Sequence, residues 1–359
     1  MDSNNGFDLK TGLLIALRTY KDIKSTWFIT YRMSEYIQAY EYESNVNPLL
    51  NNVPIITKNV NDCGLGMHCI DNGSVYRVSY KATSPNLLAS FIILDEDKDG
   101  NEAHQFRFDA SNGILDTEIN AASHLFYVLQ GKCRFTFSEQ VYTRGEEYGE
   151  TYIDTIYKEF MVESGEIFIC PTFLALKITN MLENEKTEIY YVNDSPLLNY
   201  LGAEAQNKVF QPCVYNNAFL QEKLQELSDP KKNRKGILLS NTDTERIGIN
   251  TITPTLWALY NELPPNTVQK PHKHNSVALD LCIACTDSEN VYTLVGDELD
   301  EQGNIVNPTK VQWKQGEMFI TPPGLWHSHN NVGNTYAYIL PIQDAGLLLY
   351  QRILGIVLK

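Results

Sequence analysis

Short runs of alternating apolar and polar residues dominate the first half of the chain. They fall at Ser74–Tyr80, Leu88–Leu94, Gln105–Asp109, Leu125–Leu129 and Cys133–Phe137, with acidic and glycine punctuation such as Asp95–Gly100 between them. Alternation turns one side of each run to a core and the other to water. It therefore predicts strands, and their close succession predicts a sandwich or barrel. The Asp95–Asp99 cluster resembles a calcium loop in passing, but it lacks the terminal Glu at the required offset and reads as a solvated hairpin tip. Helical spacing occurs twice. With Leu13, Leu14, Leu17, Tyr20 and Ile23 at helical spacing, residues 9–42 read as helical or mixed, an extension that can pack on the barrel or on a second subunit. Asn217–Leu227 predicts a short amphipathic helix capped by Asn216 or Asn217 and ending near Pro230.

The pattern repeats. Gly165-Glu-Ile-Phe-Ile-Cys-Pro171 matches Gly316-Glu-Met-Phe-Ile-Thr-Pro322, and Asn180 matches Asn331, each pair 151 residues apart. Repetition at that scale predicts two tandem barrels. The polar stretch Asn193–Asn250 lies between them, and its basic run Lys231-Lys-Asn-Arg-Lys235 reads as a solvated loop. The expected layout is a partly helical N-terminal extension (1–72), a degenerate N-terminal barrel (73–195), a linker with a short helix (196–250) and a C-terminal barrel (251–359).

Composition narrows the class. The 359 residues exceed one typical domain, and 14 Phe with 21 Tyr suit a β-rich aromatic core. A formal net charge of −15 makes nucleic acid an unsuitable partner. No apolar run reaches the length of a membrane span, and Met1-Asp-Ser-Asn-Asn lacks the basic-then-apolar pattern of a signal peptide. Seven scattered cysteines fit a reducing, cytoplasmic setting, with Cys282 and Cys285 read as buried strand residues.

The candidate chemistry lies in the second half, where four of the seven histidines fall between Leu263 and Asn331. His272 and His274 are two apart, so on a strand both imidazoles share a face. The Pro322-Pro-Gly324 turn can fold His327 back towards them. Three neutral imidazoles suit Zn, Cu, Fe or Ni and leave open positions for water, O2 or a bidentate ligand. Asp280 has the strand parity of His272 and could approach the metal from behind. In the N-terminal copy the metal positions fail. Leu176 replaces His327, and counting back from Gly131 puts Glu118, Asn120 and His124 at the ligand places, leaving His124 the only candidate imidazole.

The spacing of Gly316, Pro322, Gly324, His327 and Asn331 reproduces the second signature of the cupin superfamily, and Pro271-His272-Lys-His274 resembles part of the first. Asn266 stands where that family has its leading Gly. Asn tolerates positive φ better than other non-Gly residues. Ala278 and Leu279 occupy the places of a glutamate ligand. With its flanks, Thr255–Leu279 resembles the metal-binding run of gentisate 1,2-dioxygenases and salicylate-type ring-cleaving dioxygenases, and Thr321–Asn330 resembles their second run. The resemblance covers about a fifth of the chain. It implies a mainly β bicupin, two tandem jelly-roll-like cupin barrels with an N-terminal helical extension. It further implies Fe(II) on His272, His274 and His327, with His329, Trp326, Gln269, Asp280 and Gln343 behind the metal or facing the substrate.

That family carries iron in its N-terminal cupin, whereas here the histidines lie in the C-terminal one. The family's Ala-Leu-Arg run is here Ala278-Leu279-Asp280, and the inverted charge favours a neutral, hydroxylated or amine-bearing substrate over an anionic one. The expected activity is non-haem Fe(II)-dependent oxidation by O2 of a small oxygen-chelating substrate, aromatic or enolic. The same histidines holding Zn, Ni or Mn would suit a cupin isomerase or hydrolase without O2, Cu is a further possible occupant, and a non-catalytic ligand-binding bicupin is the third reading. Cupins commonly pair through barrel edges, so the resemblance implies a homo-oligomer, dimer or tetramer.

Overall fold

The alternating runs become strands, and among the described residues every pairing is antiparallel. The computed structural model describes residues 8–9, 12–13, 38–45, 50–96, 102–109, 119–144, 151–229 and 231–359, which fall in two units, Met1–Leu50 and Asn51–Lys359. In the first unit, Asp8–Leu9 pairs with Gly12–Leu13, and Tyr42–Asn45 makes one helical turn. Within the stretch read as helical or mixed, Leu9, Gly12 and Leu13 thus belong to a short strand pair. Leu14, Leu17, Tyr20 and Ile23 lie outside the described residues.

The second unit holds two sandwiches of one topology. The N-terminal inner sheet runs Cys213–Tyr215, Ile167–Pro171, Ser123–Gln130, Thr187–Asn193, Leu88–Leu94, Gly66–Ile70. The C-terminal inner sheet runs Thr57–Asn59, Glu317–Thr321, Ala278–Cys285, Ala337–Gln343, Trp257–Leu263, Lys235–Leu239 in the equivalent order. Each faces an outer sheet: Gln105–Asp109, Ala175–Asn180, Lys132–Arg144 and Thr151–Glu163 in the first half, and Thr309–Gln312, Val291–Gly296, Trp326–Asn331, His272–His274 and Ile356–Leu358 in the second.

Odd and even positions of the inner strands serve different cores. Leu125 and Tyr127 join Leu279, Leu281, Met318 and Leu340 in a cluster shared by both inner sheets. Phe126 and Val128 turn inward onto Phe135, Phe168 and Tyr191. With both faces apolar, strands such as Leu88–Leu94 are buried along their whole length. Each fully buried Phe contributes roughly 2–3 kcal/mol to this packing. Two buried carboxylates tie the halves reciprocally. Thr255 donates to Asp194 (2.7 Å), and Asn86 donates to Asp344 (2.7 Å).

The segments expected outside the barrels supply their edges. Thr57–Asn59 and Gly66–Ile70, placed in the N-terminal extension, pair into the C-terminal and N-terminal inner sheets respectively. Within the expected linker, Cys213–Tyr215 edges the first sheet and Lys235–Leu239 the second. Asn217–Leu227 is a helix capped by Asn216, whose side chain accepts from the Phe219 N–H at 2.8 Å. Ser74–Tyr80 is not a strand. Gly73–Tyr76 forms a single helical turn closed by Arg77 in the left-handed region, and Asp71 pins its start by accepting from the Gly73 N–H.

Candidate metal centre

His272 and His274 occupy a three-residue strand that pairs with Trp326–Asn331, with His272 directly opposite His327. Directly opposed residues in an antiparallel pair project to the same face, so the three imidazoles converge. Their ring centroids lie 4.0 Å (His272–His327), 4.8 Å (His274–His327) and 5.9 Å (His272–His274) apart, and one nitrogen from each lies within 4.8 Å of the others. Among the described residues this is the single cluster able to hold a metal ion. The Pro-Pro-Gly turn is tied to it directly. Gly324, at φ +81°, donates its N–H to the His274 carbonyl at 2.7 Å. Asn331 anchors the far end of the strand through Leu263 O and Thr335 O.

Hydrogen bonds fix two of the tautomers. His274 Nδ1 lies 2.9 Å from the Ser276 carbonyl, which only accepts, so Nδ1 carries the proton and Nε2 keeps its lone pair. His327 Nδ1 stands in the same relation to Leu325 O at 3.1 Å. His272 Nδ1 is buried without a partner. Burial holds His272 down to about 2, reinforced by His329, Arg234 and His274. Burial likewise lowers His274, and it lowers His327 well below its ordinary value together with the neighbouring imidazoles. All three are therefore neutral at physiological pH, the form that binds a cation. The donor set fits a borderline transition metal.

The cluster opens into a cavity of about 150 Å³ lined by apolar Ile237, Leu259 and Pro341 and by several polar groups. Four of the five further residues expected at the site line it. Gln343 accepts from the Ser276 hydroxyl (2.7 Å), which in turn touches His274 Nδ1 (3.0 Å). Gln269 is buried with its Oε1 unpartnered. Asp280 lies outside the three-histidine cluster. Burial pushes it up to about 7 against the hydroxyl bond donated by Thr321 (2.5 Å). Thr293 Oγ1 accepts from the Trp313 indole N–H (2.8 Å), and among the described residues His329 Nδ1, 2.8 Å away, is the acceptor within reach of its own buried hydroxyl hydrogen. Thr293 therefore donates to Nδ1, and the proton of His329 resides on Nε2.

Trp326 is the exception. Strand alternation turns it to the face opposite His327, where Lys273 Nζ stands 4.7 Å from its ring. Sequence reasoning also missed Arg234, Asn261, Ser276 and Thr293. Arg234 belongs to the run read as a solvated loop, yet it lines the cavity.

Register locates the N-terminal counterparts. Leu176 stands at the place of His327, and its partner Phe108 at that of His272. Phe126 occupies the place of Asp280, and Ile178 that of His329. The positions reached by counting from Gly131 are therefore corrected. Asn120 is engaged by Ala203 O and Ala205 N. His124 lies parallel to Tyr191 and tilted against Phe173, with Nδ1 2.7 Å from the tyrosine hydroxyl, and burial holds it down to about 3. Glu118 lies outside the described residues.

No protein-family model and no curated protein matches the sequence. Solved structures match the fold. Salicylate 1,2-dioxygenase from Pseudaminobacter salicylatoxidans is 12% identical, with 91% of this chain and 95% of that one covered and a TM-score of 0.62. Its adduct with gentisate gives 11% identity, 91% coverage of both chains and a TM-score of 0.64. A single-site variant in complex with gentisate gives 10%, 91% and 92% coverage, and 0.63. The chain thus has the bicupin fold of these ring-cleaving dioxygenases, mainly β, with a three-histidine cluster in its C-terminal half. No described helix is long and apolar enough to cross a membrane.

Proposed function

We propose that the protein is a non-haem Fe(II)-dependent dioxygenase that oxidises a small oxygen-chelating substrate, aromatic or enolic, with O2. The observation that carries this reading is the convergence of three neutral imidazoles on one small cavity. His272, His274 and His327 would hold the metal, which supplies the redox chemistry between O2 and a chelating substrate. The chain's own part is positioning. Ser276 and Gln343 fix the His274 ring, and Ile237, Leu259 and Pro341 limit water. His329 presents an Nε2–H donor for a substrate oxygen, and Asp280, near 7, accepts or releases a proton at its free oxygen. The fold likeness to a dioxygenase crystallised with gentisate agrees with this chemistry.

The test is elemental analysis of protein purified without a histidine tag, beside His272→Ala, followed by O2-uptake assays on catechol-like and enolic compounds. About one iron per chain, lost in the variant, is expected. Stoichiometric zinc or nickel without O2 uptake would move the assignment to an isomerase or hydrolase. Absence of any bound metal would remove the enzyme reading.

A further inference from the structure

We propose that Cys282 and Cys285 form a redox site, which a small hydroperoxide closes into an intrachain disulfide. Neither thiol belongs to the metal cluster.

In a regular strand, residues three apart point to opposite faces, and Cys282 and Cys285 would serve different cores. The strand Ala278–Cys285 is not regular. Its register against Ala337–Gln343 slips between Cys282 and Ala284, so Cys282 stands opposite Ile339, Ala284 opposite Tyr338 and Cys285 opposite Ala337. One extra residue in a bulge reverses the parity beyond it. Ile283 therefore turns to the core shared by the inner sheets, and both cysteines turn to the C-terminal interior beside Val291, Trp313 and Ile339. The bulge also shortens the span between them. Ile339 and Ala337 are two residues apart, about 6.8 Å along an antiparallel strand. Their cysteine partners share that spacing, the upper edge of the roughly 4.4–6.8 Å between Cα atoms that a disulfide bridges.

The two thiols already meet. Cys282 and Cys285 hydrogen-bond to each other, and Cys285 Sγ donates onward to the Trp313 carbonyl at 3.9 Å. The pair is asymmetric. Cys285 ends the strand and keeps a little exposure (7%), whereas Cys282 is wholly enclosed. The bond from Cys282 lowers the Cys285 thiol against the effect of burial, with help from the Asp287 N–H. The same bond and burial push Cys282 up. Cys285 is thus the thiol that ionises first and meets the oxidant.

The Cys285 thiolate attacks one peroxide oxygen. An S–O bond forms, the O–O bond breaks, and hydroxide leaves to take up the proton that Cys285 gave up. The Cys282 sulfur then attacks the resulting sulfenic acid. The S–S bond forms, the S–O bond breaks, and the Cys282 proton leaves with the hydroxyl as water. Two thiols and one hydrogen peroxide thereby give one disulfide and two waters. The bridge takes the thiol donor away from Trp313 O, and the indole of Trp313 holds Thr293, whose hydroxyl faces His329. Oxidation at the bulge therefore acts on a chain of hydrogen bonds that ends at the cavity.

The test is peptide mapping of the full-length folded protein after hydrogen peroxide in chelator-containing buffer, with remaining thiols blocked by N-ethylmaleimide in urea. The tryptic fragment 274–310 holds these two cysteines and no other. It should lose two hydrogens and take up no maleimide, and dithiothreitol should restore both thiols. Cys282→Ser should leave Cys285 as a sulfenic acid that dimedone traps, at least about tenfold more than Cys282 is trapped in Cys285→Ser. The mapping of the parent stands whether or not the variants fold. Two maleimides on the peroxide-treated fragment, separate sulfinic acids, a bridge to any other cysteine, or bridging only when peroxide is added in urea overturns the redox site. Trapping at Cys282 in preference to Cys285 overturns the order of attack.

Discussion

The two sandwiches share a strand order and differ in what faces inward. In the N-terminal half Phe108, Leu176, Phe126 and Ile178 fill the interior. At the same register positions the C-terminal half has His272, His327, Asp280 and His329, and a cavity. What the two halves retain in common is scaffolding. Asn180 ties its turn through Asp95 O and Glu185 O, as Asn331 does through Leu263 O and Thr335 O. Gly165 and Gly316 both sit at positive φ, and a Cβ on Gly316 would meet Val60 at 2.7 Å. The repeat is thus held by backbone geometry, whereas chemistry depends on a few inward side chains. One interior is stabilised by packing. The other keeps polar groups where packing would be worth more.

That contrast is broken most strongly at Asp280, whose N-terminal counterpart Phe126 stacks on Tyr191 with ring centroids 4.4 Å apart. Burial raises Asp280 from 3.8 to about 7. The folded chain therefore binds more protons than the unfolded chain between those values. Stability is full below the window and falls as pH rises through it, by up to about 4 kcal/mol for a shift of this size. In metal-free protein, Asp280→Asn should remove that fall and be the more stable form at pH 8, with the difference shrinking towards pH 4. Urea denaturation at the two pH values measures it, and an unchanged difference between variant and parent would show that Asp280 is not held neutral by burial.

The converse substitution puts an imidazole into the aromatic half. Leu176 is 1% exposed and lies between Phe108 and Phe137. Leu176→His should cost about 3 kcal/mol through lost apolar contact and a buried ring without partners. It should add no second metal, because Phe108 and Ile178 offer no nitrogen. A second equivalent of bound metal would mean that the N-terminal interior is far less committed to packing than its aromatic contacts indicate.

Much of this was legible in advance, for physical reasons that also mark the limits. His272 and His274 share a strand face by period alone, and the Pro322–Gly324 turn returns His327 to them. Asn266, standing at the leading glycine's place, adopts φ +55° as its side chain allows. Trp326 was misplaced because proximity in sequence to His327 outweighed parity. Phe108 was missed as the counterpart of His272 because counting from Gly131 assumes equal strand spacing in the two halves. Arg234 was invisible as a site residue because its position depends on an edge strand joining the sheet, a non-local pairing that no local pattern encodes. Ser276 and Thr293 carry no signal of their own, since their work is to orient a neighbouring imidazole.

The smallest expected effect concerns that orientation. The Ser276 hydroxyl stands between His274 Nδ1 (3.0 Å) and Gln343 Oε1 (2.7 Å). In the N-terminal half, the register position of Gln343 is taken by Asn193, whose side chain instead accepts from the Ser195 N–H. Ser276→Ala removes the hydroxyl but leaves the Ser276 carbonyl, so Nδ1 keeps its proton and Nε2 its lone pair. The ring loses one of two restraints and Gln343 loses its donor. Metal affinity should fall about tenfold, the low end of what such supporting groups contribute, with stoichiometry unchanged. Thr293→Val should leave metal affinity alone, because the Trp313–Thr293 chain orients His329 and not a ligand of the cluster. Competition with a chromophoric chelator measures both. If Thr293→Val weakened the metal as much as Ser276→Ala, His329 would have to be counted among the groups that hold it, and the separation of three ligands from one ligand-facing donor would fail.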